Sequence, residues 1–174
     1  MAHPHVDLEN SPRDTILDAS ARCFMANGFK ATSIDDIARR LGATKGMVYH
    51  YFGSKSELFF EIHQRAMDAL VQAVDPEVRR HAPALDRLHA MARRHVQTLI
   101  ETQHYQRAVV EGVQMHLRVS TTEAQRKRLM QLQDRRRRYE RVFLKVLHEG
   151  IEEGDLSATD PRIAIKPVLG ALNS

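Results

Sequence analysis

Residues 32–57 read TSIDDIARRLGATKGMVYHYFGSKSE and contain three helix starts in close succession. Ser33 or Thr32 precedes Ile34 as an N-cap, and Asp35 and Asp36 suit the positive end of the helix that follows. Ile34, Ile37, Ala38 and Leu41 recur at helical spacing as a buried stripe, and Gly42 stops the helix. Thr44 caps a second helix, on which Val48 and Phe52, four apart, face inward. Ser54 and Glu57 form a capping box: the hydroxyl serves a backbone N–H and the carboxylate reaches back. Two helices joined by a short turn around Gly42 make a helix-turn-helix.

The same spacing extends outward on both sides. Residues 1–10 form a tail without an apolar signal region, and a first helix starts after Ser11 and Pro12, burying Ile16, Ala19, Cys23 and Phe24. Gly28 is expected to end it in the left-handed conformation. Beyond Ser54 runs a long amphipathic helix with Leu58, Phe59, Ile62, Met67, Leu70, Val71 and Val74, ending at Pro76. After Pro83 one helix carries Leu85, Leu88, Met91, Ala92 and Leu99, and another carries Val109, Val113 and Leu117. A third spans about Thr122 to Gly150, and Asp160-Pro161 opens a last one. No β-type alternation persists, so the fold class is all-α.

Composition narrows the functions. At 43% hydrophobic and 28% charged residues the chain is globular, and a formal charge of +4 fits an acidic partner. A single cysteine fits a reducing cytoplasm, and no apolar run approaches a membrane span. No nucleophile elbow, P-loop or zinc-protease motif is present, which argues against an enzyme. The ten histidines include no pair three or four apart, so a helical metal site has no support.

The distribution of charge is more informative than its total. From Ile37 to Ser56 there is no acid, while Arg39, Arg40, Lys45 and Lys55 are cationic, a field suited to phosphate. With Val48 and Phe52 inward, Thr44, Lys45, Tyr49 and His50 point outward or sideways, and Gly46 lets the helix backbone approach a groove floor. Tyr49 and Tyr51 can donate phenol hydroxyls to phosphate oxygens. Lys55 in the first turn of one helix, and Thr32 and Ser33 at the start of another, offer two phosphate clamps around one reading helix.

The run ILDASARCFMANGFKATSIDDIARRLGATKGMVYHYFGSKSELF resembles the DNA-binding domain of TetR-family transcriptional regulators. Phe24, Gly28, Phe29, Thr32, Ser33, Ile37, Ala38, Gly42, Gly46, Tyr49, Tyr51, Phe52, Lys55 and Leu58 carry the likeness. The resemblance implies an N-terminal three-helix helix-turn-helix DNA-binding domain over 11–53. It also implies a C-terminal helical ligand-binding and dimerisation domain over 54–174. Thr44, Lys45, Gly46 and Tyr49 would meet the major groove, and Thr32 or Ser33, His50, Tyr51 and Lys55 would hold phosphates. The expected partners are a palindromic operator, a second copy of the chain and a small-molecule effector that releases the DNA, with no membrane partner.

In the regulatory half, QRKRLMQLQDRRRRYERVFLKVL reads as a solvated basic face interrupted by Asp134 and Glu140. Its apolar stripe runs Leu129, Leu132, Arg136, Tyr139, Phe143 and Val146, so Arg136 needs a multi-acceptor partner. That partner is a ligand carboxylate, phosphate or coenzyme A group, or else Glu101 or Glu111. His95, among Met91, Ala92 and Leu99, is a second polar residue on an apolar face. His95, Val113, Arg136 and Tyr139 are the candidate effector-pocket residues. Residues 147–172 resemble TetR-type regulators of fatty-acid or steroid degradation, which implies an acyl-CoA-like effector and no other cofactor. Such proteins use two final helices for dimerisation. Here the sequence reaches only the first of them, so either the last family helix is lacking or the dimer face is unusual. The alternatives are a helix-turn-helix protein without an effector and a helical interaction module.

Overall fold

The computed structural model describes residues 11–108 and 122–157. Helix α1 spans Pro12–Asn27, with Pro12 at its first turn and the Ser11 hydroxyl accepting from the Asp14 N–H. It ends at Gly28, whose φ of 79° is positive as expected but whose ψ of 154° lies outside the left-handed helical well. That corrects the expected C-cap: the backbone takes a region open essentially to glycine alone and leaves the helix extended. Helix α2 spans Ile34–Leu41 and α3 spans Lys45–Tyr51, and between them Gly42 is left-handed at φ 64°, ψ 27°. Helix α4 spans Lys55–Val78 and absorbs Pro76 in its last turn, so it outruns the stop expected there. Proline breaks a helix by the bond it cannot donate, and one turn from the end only one such bond is lost.

Helix α5 spans Ala84–Glu101, and residues 103–108 are helical again. Helix α6 spans Glu123–Glu152 behind a reciprocal Thr122–Gln125 capping box. Among the described residues there is no strand. The expected segments around Val113 and after Asp160, and the N-terminal tail, lie outside those residues.

Helices α1, α2 and α3 fold together, and α1 also rests on α4. Helices α4, α5 and α6 pack on one another in a second layer, where α4 and α6 run side by side in the same direction. The Gln125 amide donates to the Ser56 hydroxyl, the Arg128 guanidinium covers the Phe60 ring, and Arg135 pairs with Asp68. One hydrophobic cluster gathers Ile16, Phe24, Ile37, Val48, Phe52 and Phe59 and continues into Tyr105, Ala108 and Leu129. A second joins Met67, Leu70, Val74, Met91, Tyr139 and Phe143. Leu85 and Val71, expected on apolar stripes, are exposed instead. No helix among the described residues is long and apolar enough to cross a membrane.

Candidate nucleic-acid interface and regulatory core

The reading face is built from caps. The Ser33 hydroxyl accepts from the Asp36 N–H at 3.1 Å, and the Asp36 carboxylate accepts the Ser33 N–H at 2.9 Å. The Ser33 hydroxyl also bonds that carboxylate and holds its pKa below the usual range, and Arg39 closes on it at 3.0 Å. Thr44 caps α3 by accepting from the Met47 N–H at 3.3 Å. At the third start the Ser54 hydroxyl accepts from the Glu57 N–H, but the Glu57 carboxylate takes the Gly53 N–H at 2.9 Å. The expected box therefore reaches back one residue further than its spacing suggests.

With Val48 and Phe52 buried, α3 turns Lys45, Gly46, Met47, Tyr49 and His50 to the surface, and Tyr49 is 45% exposed. The Lys45 ammonium lies 6.0 Å from the Tyr49 ring centroid and 3.0 Å from the Asp35 carboxylate of α2. The hydrogen bond that its ammonium donates to the Asp35 carboxylate raises the Lys45 pKa. A Cβ added at Gly46 would meet nothing closer than the Thr44 hydroxyl oxygen at 3.8 Å, so the fold itself does not require glycine there. The exposed His50 ring meets the half-buried Tyr51 ring edge-on at 5.0 Å.

Two expected phosphate ligands are placed differently. The Thr32 side chain is buried and its hydroxyl donates to the Gly28 and Cys23 carbonyls at 2.8 and 3.2 Å. Lys55 turns inward: its ammonium donates to the Thr32 and Phe29 carbonyls at 2.8 and 2.9 Å and lies 4.6 Å from the Phe29 ring centroid. Burial lowers its pKa. A cation satisfies the carbonyls of a tight loop as well as it satisfies phosphate, and helical spacing could not reveal that those carbonyls lie opposite. Lys55→Ala is expected to weaken DNA binding by loosening the α1–α2 loop while leaving the slope of log K against log salt unchanged. A slope shallower by about 0.9 would instead mean that Lys55 neutralises a phosphate.

The junction with α4 and beyond is polar at its rim. Arg13 pairs with Glu61 at 2.8 Å, Arg65 with Asp14 at 2.5 Å, and His104 Nε2 with Asp18 at 2.8 Å. Sequence spacing held no signal for these pairs, because their partners are far apart along the chain.

In the regulatory core, His95 Nδ1 lies 2.8 Å from the Tyr139 hydroxyl and the two rings stack. Burial lowers the His95 pKa to about 4 and raises that of Tyr139. Tyr139 also lines a cleft of about 370 Å³ with Val71, Val74 and Val142, where Arg135, Arg138 and Asp75 supply charge. Arg136 stands outside that lining. Its Nε pairs with Glu140 at 3.3 Å, one turn along its own helix, and not with the expected Glu101; Glu111 lies outside the described residues. Its Nη2 is buried without a partner among the described residues, as are His63 Nδ1 and His95 Nε2. Val113 lies outside the described residues. His63 carries the same signal as His95 and Arg136, one polar residue among Phe59, Phe60, Ala66 and Met67 at helical spacing, and that spacing could have found it. Along α6, Arg128, Arg135, Arg137 and Lys145 each pair with an acid, in keeping with a solvated face. Among the described residues no cluster could hold a metal ion.

Comparison with known proteins places both halves. Residues 16–62 match the family model for bacterial regulatory proteins of the tetR family, and residues 81–174 match the tetracyclin repressor-like C-terminal domain. The HTH-type transcriptional repressor KstR2 of Mycobacterium tuberculosis H37Rv is 30% identical over 145 residues, covering 83% of this chain and 69% of that protein. The structure of the TetR family transcriptional regulator PfmR from Thermus thermophilus superposes with a TM-score of 0.77 at 29% identity, covering 91% of this chain and 82% of that one. AibR, solved in complex with isovaleryl coenzyme A and operator DNA, shares the fold with a TM-score of 0.74 at 24% identity, covering 92% of this chain and 83% of that one.

Proposed function

Since the chain belongs to the TetR family and is a DNA-binding transcriptional regulator rather than an enzyme, we propose that it is a cytoplasmic repressor, bound to a palindromic operator as a homodimer and released by a small-molecule effector. Residues 11–53 serve as the reading unit and 54–174 as the regulatory unit. The observation that carries this reading is the division of α3: Val48 and Phe52 fix it to the core while Lys45, Gly46, Tyr49 and His50 are exposed in an acid-free stretch. Thr44, Lys45, Gly46 and Tyr49 meet the groove. Ser33, His50 and Tyr51 hold phosphates, helped by the free N–H groups at the start of α2.

The effector is an acyl-CoA-like molecule, and three features support it. Arg136 and His63 bury polar atoms that lack partners, groups which an acceptor oxygen on a ligand would satisfy. The cleft at Tyr139 joins an apolar wall to arginines. AibR was captured with a coenzyme A thioester on the same fold.

Selection of sequences from a random duplex library, at near-physiological salt, tests the reading. A palindrome is the expected product; an absence of enrichment would overturn a sequence-specific regulator. On the recovered operator, Lys45→Ala and Tyr49→Ala are each expected to lose about 1–3 kcal/mol of binding. Their melting temperatures should stay at the parent value, since both side chains are exposed. Unchanged affinity in both variants would sink the assignment of α3 as the reading helix.

A further inference from the structure

Asp35 places a carboxylate on the face that would meet a polyanion. It is 56% exposed by its side chain and stands at the second position of α2. Acids favour that end of a helix, but its neighbour Asp36 already fills that role: it closes the capping box with Ser33 and takes Arg39. Asp35 instead crosses to the next helix and holds the Lys45 ammonium at 3.0 Å. Lys45 is thus the outward cation of α3 held by an acid.

This pairing changes what Lys45 gains from DNA. To reach a backbone phosphate it must exchange one anion for another and leave Asp35 unpaired beside the negative backbone. A G·C pair in the major groove removes that conflict. Guanine O6 and N7 accept from the ammonium, and the cytosine N4 amino group donates to the carboxylate. The two charges then both stay satisfied on one base pair, and on no stretch of bare phosphate.

We infer that Asp35 is a specificity-determining residue of the reading head: it restrains Lys45 from non-specific phosphate contact, and the Asp35–Lys45 pair reads one G·C pair in each half-site. The inference rests on the assignment of α3 made above, and its test separates the two.

The full chain and its Asp35→Asn, Asp35→Glu and Lys45→Ala variants would be titrated over a potassium chloride series. The duplexes are the one recovered by selection and a scrambled duplex of equal composition. Asp35→Asn keeps the side-chain shape and the Ser33 cap. It is expected to bind the scrambled duplex more tightly, with a salt slope steeper by about 0.9 as the freed lysine takes a phosphate. Its ratio of operator to scrambled affinity should fall at least about fivefold, the lower bound for one good base contact. Asp35→Glu should recover most of that ratio, and selection repeated with Asp35→Asn should lose one G·C position per half-site.

An unchanged ratio and slope in Asp35→Asn would overturn the inference. So would equal weakening on both duplexes with a lowered melting temperature, since that is the signature of a helix-end acid with a purely structural role. If either occurs while Lys45→Ala still loses operator affinity, the α3 assignment survives and only the role of Asp35 falls. If Lys45→Ala binds the operator like the parent, the assignment fails and the inference with it.

Discussion

Acidification from pH 6.5 towards 4 is expected to remove several kcal/mol of stability from this fold, through two buried histidines. In the unfolded chain each ring takes up a proton near pH 6.5, whereas in the fold burial lowers the pKa of His63 and of His95 to about 4. The charges of Arg136 and Arg135 push His63 the same way. Between those pH values the unfolded state binds more protons, so the stabilisation is complete above 6.5 and is lost as pH falls to about 4. Each ring contributes about 1.4 kcal/mol per pH unit inside that window, and both together on the order of 5 kcal/mol across it. That is comparable with the whole stability of an ordinary domain, roughly 5–15 kcal/mol. Urea midpoints measured at pH 7.5, 6.5, 5.5 and 4.5 should fall steeply below 6.5. The double variant His63→Gln/His95→Gln should show a flatter profile, whatever its stability at neutral pH. A wild-type midpoint that holds steady between pH 6.5 and 5 would mean that the rings are hydrated and charged in the native state.

Phe52→Ala is the substitution from which the largest loss is expected. The ring is 1% exposed at the C-cap of α3, in the cluster that joins Val48, Ile16 and Leu58, and the Arg13 guanidinium lies 4.9 Å from its centroid. Truncation removes the buried ring and leaves a cavity where three helices meet, a change that typically costs about 3–5 kcal/mol. Operator binding should vanish with it, since the ring fixes the rotation of α3 about its own axis. Phe52→Leu, which keeps most of the volume, should retain a folded head and measurable binding. A loss under about 1 kcal/mol in Phe52→Ala would show that the ring is not packed as described.

What the sequence made legible was whatever depends on neighbours along the chain. Gly42, Ser33, Thr44 and Ser54 punctuate the helices as spacing suggests, and Val48 and Phe52 face the core because four residues make about one turn. What escaped was set by groups distant in sequence. Lys55 and Thr32 have donors that suit phosphate equally well, and only the folded loop shows that carbonyls have taken them. Glu57 sits correctly for a capping box, yet the chain entering at Gly53 offers its N–H instead. Arg136 was recognisable as a cation on an apolar stripe, but spacing could not say that Glu140 would occupy one nitrogen and leave another unpartnered. The Asp35–Lys45 pair escaped for the same reason: helix periodicity orders residues within α2 and within α3, and is silent about which ends meet.

The hydrophobic cluster that starts at Ile16 and runs past Phe52 does not stop where the reading unit stops; it takes in Tyr105, Ala108 and Leu129. For anyone building chimeras, the seam at residues 53 and 54 is therefore the wrong place to cut. A head transplanted from here onto another regulator would carry half a socket, and the recipient would have to supply side chains matching Leu58, Phe59, Phe60, Ile62 and Ala66 of α4 as well as those three. Graft boundaries drawn through the packing, with the first half of α4 and with Tyr105, Ala108 and Leu129 moved along with the head, should yield well-folded hybrids where cuts drawn through the motif do not.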